Sequence, residues 1–145
     1  MRLAYLDPMS ASRILVSSGT EFESAVGYSR AVRVGPVVAV SGTTAPGPDV
    51  ATQTREVLRR IEAALNDAGA MLSDVVRTRI YVTDISRWRE VAAVHAEVFG
   101  EIRPAATMVE VAALITPELL VEIEADAYSS ADPPIGGKVP SGPGR

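Results

Sequence analysis

Residues 121–127 alternate without exception. Val121, Ile123, Ala125 and Ala127 fall on one face of an extended chain, and Glu122, Glu124 and Asp126 fall on the other, with Leu120 ahead of them on the acidic side. Such a strand demands an apolar core on one side and surroundings that tolerate three carboxylates on the other. That pattern belongs to a sheet covered by helices on one face only.

The rest of the chain reads around this strand. In residues 75–83, Val76, Thr78, Ile80 and Val82 alternate with Arg77, Arg79 and Tyr81, and the valine and isoleucine face is assigned to the core. Residues 106–113 place Val109 and Val111 on the apolar face against Met108 and Glu110. Residues 28–34 and 36–41 are β-rich runs joined at Gly35 and read as a hairpin, and residues 13–17 form one more short apolar run. Two stretches have helical period. Leu58, Ile61, Leu65 and Ala68 make the apolar stripe of a helix over about residues 50–68, with Asp49 as its N-cap and Gly69 as its end. Trp88, Val91, Val94, His95 and Val98 make the buried stripe of a second over about 87–99, with Ser86 as candidate N-cap and Gly100 as the stop. The order is one strand, a hairpin, helix, strand, helix and two strands. The expected fold is α+β, a mixed sheet of about six strands with two helices on one face.

Length, composition and charge set further bounds. The 145 residues suit one domain, placed at 12–128 between a flexible N-terminus, 1–11, and a Pro/Gly-rich disordered tail, 129–145. There is no cysteine and one histidine, which excludes disulfides, thiolate chemistry and a histidine metal cage, so no metal is expected. A net charge of −4 argues against a generic nucleic-acid partner. No apolar run suits a signal peptide or a membrane span, so a cytoplasmic protein without a membrane partner is expected.

The face carrying Glu122, Glu124, Asp126, Arg77, Arg79 and Tyr81 has two readings. It is a solvated sheet face with cross-strand ion pairs, or a subunit interface that encloses polar clefts.

Six segments, in order, resemble the reactive intermediate deaminases, the Rid or YjgF family. Gly27-Tyr28-Ser29-Arg30-Ala31-Val32 resembles that family's GPYSQAV without the proline, and Ser41-Gly42-Thr43 resembles its SGQ turn. Residues 74–78 resemble the start of its central strand, and Arg103-Pro104-Ala105 the start of its PARS segment. Val109-Glu110-Val111-Ala112 and Val121-Glu122-Ile123-Glu124-Ala125 resemble its VEVA and VEIEA strands. The resemblance spans about residues 13–128. It implies a chorismate-mutase-like fold and a homotrimer whose polar sheet faces meet at the centre, leaving clefts between subunits. It further implies cofactor-free hydrolysis of a small imine or enamine, such as 2-aminoacrylate, to a keto acid and ammonia.

Carried over residue by residue, Glu122 matches the family carboxylate that holds the attacking water, and a half-buried carboxylate suits general acid–base work. Tyr28, Ser41, Gly42 and the stretch Ala106, Thr107 and Met108 match positions around the substrate. The sequence departs where the deaminases carry an arginine after Pro-Ala to grip the substrate carboxylate, because Ala106 stands there. Ala92 replaces a family asparagine and Met108 a cysteine. Losing a desolvated bidentate contact costs roughly 2–5 kcal/mol. Arg103 lies next to the site but precedes a proline. The expected function is therefore an imine- or enamine-hydrolysing enzyme of this type acting on a small-molecule substrate. The alternatives are a non-catalytic ligand-binding or sensor trimer and a pathway-specific catalyst in the same cleft. His95 and Trp88 are assigned to packing, and Thr43-Thr44 lacks a base that would make either a nucleophile.

Overall fold

The computed structural model describes residues 13–134, so the expectations for the N-terminus and for the tail beyond 134 lie outside the described residues. Six strands form one sheet: β1 (Ile14–Val16), β2 (Ala31–Val34), β3 (Val37–Thr43), β4 (Val75–Val82), β5 (Ala105–Glu110) and β6 (Val121–Tyr128), in the order β1-β2-β3-β6-β4-β5. All pairings are antiparallel except β4 with β5, which the intervening helix returns in parallel. The helices are α1 (Glu21–Val26), α2 (Val50–Asp67) and α3 (Trp88–Phe99). The expected mixed six-stranded sheet is present, with three helices instead of two.

β6 behaves as its alternation requires. Val121, Ile123, Ala125 and Ala127 are buried beneath the helices, while Glu122, Glu124 and Asp126 are half-buried on the other face. Leu120, which precedes β6, packs against the core instead of joining the acidic face. In α2, Val57, Leu58, Ile61, Ala64 and Leu65 are buried, and the Asp49 carboxylate accepts from Thr52 N at 2.7 Å as its N-cap. Buried Gln53 ties two loops to that helix. Its amide donates to Gly47 O and Glu118 O, and its Oε1 accepts from Leu120 N at 2.8 Å.

Two face assignments differ from the alternation. The register of β4 shifts between Val75 and Arg77, so Val75 takes the core position and Val76 is 52% exposed. In β5 the faces are inverted. Ile80 stands beside Met108, which packs on the core, and Tyr81 stands beside Val109, which lies exposed on the open face. Both faces of residues 106–111 carry apolar side chains, so pairing with β4 decided what alternation left undetermined.

Local ends differ too. Ser86 does not cap α3. Asp84 caps the preceding 3-10 turn (Ile85–Arg87) by accepting from Ser86 N, and α3 begins at Trp88 without a side-chain cap. Trp88 is 43% exposed with the Arg89 guanidinium over its ring, because it sits on the first turn, clear of the sheet. α3 ends at Gly100 in right-handed geometry, and Arg103 takes the left-handed conformation at the turn into β5.

The extra helix α1 is short and closed by polar contacts. Glu23 accepts from Ser18 Oγ at 2.6 Å and from Thr20 Oγ1 at 3.1 Å. Burial raises its pKa, but the hydroxyl and amide hydrogen bonds prevail and hold it below the usual value. Beyond β6, Ser129 N donates to Pro36 O and the carbonyl of Ala131 accepts from the buried Arg33 guanidinium, so packed contacts continue past Tyr128.

Candidate functional site

The β3–β6 ladder is interrupted between Val40 and Thr43, which lifts Ser41 and Gly42 out of register beside Glu122. Gly42 is needed there, because a Cβ on it would overlap Glu122 Oε1 and lie 3.0 Å from Cδ. The Ser41 hydroxyl donates to Ser29 O at 2.6 Å, and its backbone N donates to Arg30 O at 3.0 Å. These bonds fasten the Tyr28-Ser29-Arg30 segment to the turn. Tyr28 is partly exposed, with the Arg30 guanidinium 5.8 Å from its ring centroid.

Glu122 has no hydrogen bond or ion pair among the described residues. Neighbouring side chains of the open face are engaged elsewhere. Arg79 bonds Asp126 at 3.0 Å and stands 3.7 Å from Glu124, while Tyr81 OH donates to Glu124 at 2.8 Å. Burial pushes the Glu122 carboxyl above its ordinary value; Arg30 pulls it back and Glu124 reinforces the rise. A raised, unpaired carboxylate next to a half-buried turn has the character of a general acid–base.

Arg30 is the residue that motif reading passed over, although it replaces the glutamine of GPYSQAV. Its Nη2 donates to Gly42 O at 2.6 Å, and its Nε is buried without an acceptor. Tyr28 and Arg30 line a cavity of about 250 Å3 between α1 and α2, together with Thr20, Thr43, Thr44 and Arg60.

Within the chain the predicted residues form two groups. Tyr28, Ser41, Gly42 and Glu122 gather at the end of β3. Ala106, Thr107 and Met108 lie on β5, separated from β6 by β4, about 10 Å across the ladder from the row of Glu122. Thr107 shares the open face with Arg79, while Ala106 and Met108 stand beside Thr78 and Ile80 on the helix side. Arg103 is exposed ahead of β5, outside the Glu122 group. His95 is held in packing: its Nε2 lies 2.9 Å from Thr78 Oγ1, its ring meets Phe99 at 4.7 Å, and burial lowers its pKa. Thr43 is buried and donates to Ser41 O. Among the described residues, no helix is long and apolar enough to cross a membrane, and no cluster of three acidic, histidine or cysteine side chains could hold a metal.

The geometry predicts that Gly42→Ala displaces the Glu122 carboxylate. Because the clash falls on the end of a flexible side chain, thermal stability should change little while any Glu122-dependent activity drops by at least about tenfold. Steady-state rates and melting curves of the variant check this. Equal activity would mean that the close approach has no chemical role.

Comparison with known proteins agrees with this architecture. The sequence profile of the family described as Endoribonuclease L-PSP matches residues 18–129. A RutC family protein from Pyrococcus abyssi is 38% identical over 109 residues, covering 70% of this chain and 85% of the relative. The 3-aminoacrylate deaminase RutC of Acinetobacter baylyi is 40% identical over 80 residues, covering 55% of this chain and 63% of that protein. A crystal structure of a YjgF/YER057c/UK114 family member from Mycobacterium tuberculosis superposes with a TM-score of 0.80 at 74% identity, covering 81% of this chain and 99% of that one. With the sequence profile, the relatives and the fold in agreement, the chain belongs to the Endoribonuclease L-PSP family, the group also called YjgF, Rid or RutC.

Proposed function

We propose that this protein is a cofactor-free hydrolase of small reactive imines and enamines, working in clefts between the subunits of a homotrimer. The observation that carries the reading is Glu122, half-buried, raised in pKa and unpaired beside Gly42. A relative's name, 3-aminoacrylate deaminase, supports the same chemistry. The division of the predicted residues into two groups supports a shared site. A second copy packed on the open face would bring its 106–108 stretch toward Tyr28, Gly42 and Glu122. Exposed Val37, Val109 and Tyr128 on that face give such packing apolar area to bury.

In this mechanism an enamine first takes a proton on carbon to become the iminium ion. Glu122 accepts a proton from water as the water oxygen bonds to the C=N carbon. The C=N electron pair moves to nitrogen and gives a carbinolamine; Glu122 returns its proton to that nitrogen and then takes the hydroxyl proton as the C–N bond breaks, leaving a carbonyl compound and ammonia. The carbon is already electrophilic, so the protein mainly orients water and substrate. Phosphodiester cleavage fits less well, because the single histidine is held against Thr78 on the helix side.

The test supplies imines in situ from an amino-acid oxidase and follows their disappearance. The expected result is acceleration by a protein that sediments as a trimer at micromolar concentration. A protein-independent rate would remove the enzymatic reading, and a monomer would remove the shared cleft.

A further inference from the structure

We propose that Arg30 grips the carboxylate of the ligand and replaces the guanidinium missing at Ala106, so that the protein selects small 2-oxo and 2-imino acids over their uncharged analogues. This inference rests on the reading of the site given above and assigns its specificity.

Three observations carry it. First, the guanidinium is largely withdrawn from water, its Nε has no acceptor, and its one hydrogen bond is Nη2 to Gly42 O. A buried arginine stays charged and carries five donors, so a single carbonyl leaves most of its capacity unused. If the position only had to clamp that carbonyl, the uncharged glutamine of the resembling motif would suffice. Second, no carboxylate among the described residues is bonded to Arg30. Glu23 is occupied by the hydroxyls of Ser18 and Thr20, and Glu122 has neither hydrogen bond nor ion pair. Third, Arg30 opens onto a cavity of about 250 Å3 whose lining also holds Arg59, Arg60 and one acid, Asp67; Arg59 and Arg60 are both bonded to Glu56, which leaves Arg30 as the guanidinium of the lining not bonded to a carboxylate among the described residues. Within a chain of net charge −4, this is a local site for an anion. Cavities for drug-sized ligands run to roughly 300–1,000 Å3, so this one suits a smaller molecule.

Planar, paired N–H donors match a carboxylate, whereas a point charge does not. Arg30 Nη2 bonds Gly42 O, so a carboxylate held at Arg30 would lie next to the turn that contacts Glu122, although neither Gly42 nor Glu122 lines the cavity itself. The Tyr28 ring, its centroid 5.8 Å from the guanidinium carbon, flanks it on one side.

The test is calorimetric titration with pyruvate and with pyruvamide, its neutral isostere, on wild type, Arg30→Gln and Arg30→Lys. Wild type is expected to bind pyruvate at least about tenfold tighter than the amide, and Arg30→Gln to lose that preference. Arg30→Lys should fall between. If Arg30→Gln fails to fold, Arg30→Lys decides, because full retention of the acid preference by lysine would overturn the bidentate grip. Equal pyruvate binding by wild type and Arg30→Gln would also overturn it, as would no preference for the acid in wild type. Glu122→Gln separates the two readings. Pyruvate binding that depends on Arg30 in a protein without turnover sinks the enzyme and keeps the grip. Turnover that depends on Glu122 but ignores Arg30 does the reverse.

Discussion

Replacing Glu122 with glutamine should abolish imine hydrolysis and, at neutral pH, make the protein more stable. The two effects share one cause. The carboxyl is half-buried without a partner, so ionising it in the folded state is unfavourable and its pKa lies above the ordinary 4.5. A group whose folded pKa is raised contributes stability that is full below its unfolded value and lost as pH rises through the folded one. Wild type therefore bears the penalty at pH 7, and the uncharged glutamine does not. The melting temperature of Glu122→Gln should exceed that of wild type at pH 7, with the gain disappearing below about pH 4. Glutamine cannot accept the proton of water, so the rate should fall by about 10²–10⁴-fold. Melting curves across pH and oxidase-coupled rates read the two effects separately. A stability gain with full activity would leave Glu122 a strained bystander; a loss of both would make it structural.

Arg33→Met should be the most damaging single change to the fold. Arg33 is 1% exposed and serves only backbone acceptors. Its Nε donates to Gly35 O at 2.9 Å, its Nη1 to Ala68 O and Gly69 O at 3.0 and 3.1 Å, and its Nη2 to Ala131 O. One guanidinium therefore closes the β2–β3 turn, satisfies the C-terminal carbonyls of α2 and anchors the segment after β6. A cation at a helix C-terminus also meets the negative end of the helix dipole. Methionine fills the space but leaves these carbonyls buried without donors, at a cost of about 3–5 kcal/mol. That corresponds to a melting point lower by roughly 10 °C for a chain of this size. Arg33→Lys should rescue little, since one ammonium cannot reach four separate carbonyl groups. Denaturant unfolding measures the loss, and a cost under about 1 kcal/mol would show that water replaces the guanidinium freely.

Arg33 also shows where pattern reading ends. In the sequence it is a polar residue within a strand, which alternation sends to solvent. It is buried because the end of α2 and the chain after β6 converge above β2, with residues 35 and 98 positions apart supplying its acceptors. No local window contains that information. The opposite case is α1. Thr20 and Glu23 carry the spacing of a capping box and Gly27 takes the left-handed turn, so this helix was legible although its six residues are too few to show a period. The inversion of β5 is different again. Met108 and Val109 satisfy an apolar face equally well, and only the neighbouring Ile80 and Tyr81 choose between them.

The sequence by itself determined the layers and half of the candidate site. Regular alternation at β6, the stripe and cap of α2, and the motif segments around Tyr28, Gly42 and Glu122 are short-range signals, which side-chain period and turn chemistry express directly. The tertiary structure decided the rest: the bulge that exposes Val76, the face of β5, the burial of Arg33, and the placing of Arg30 between Tyr28 and Gly42 beside a cavity. Each of these depends on which strands and helix ends meet, and such contacts join residues whose separation along the chain leaves no periodic trace.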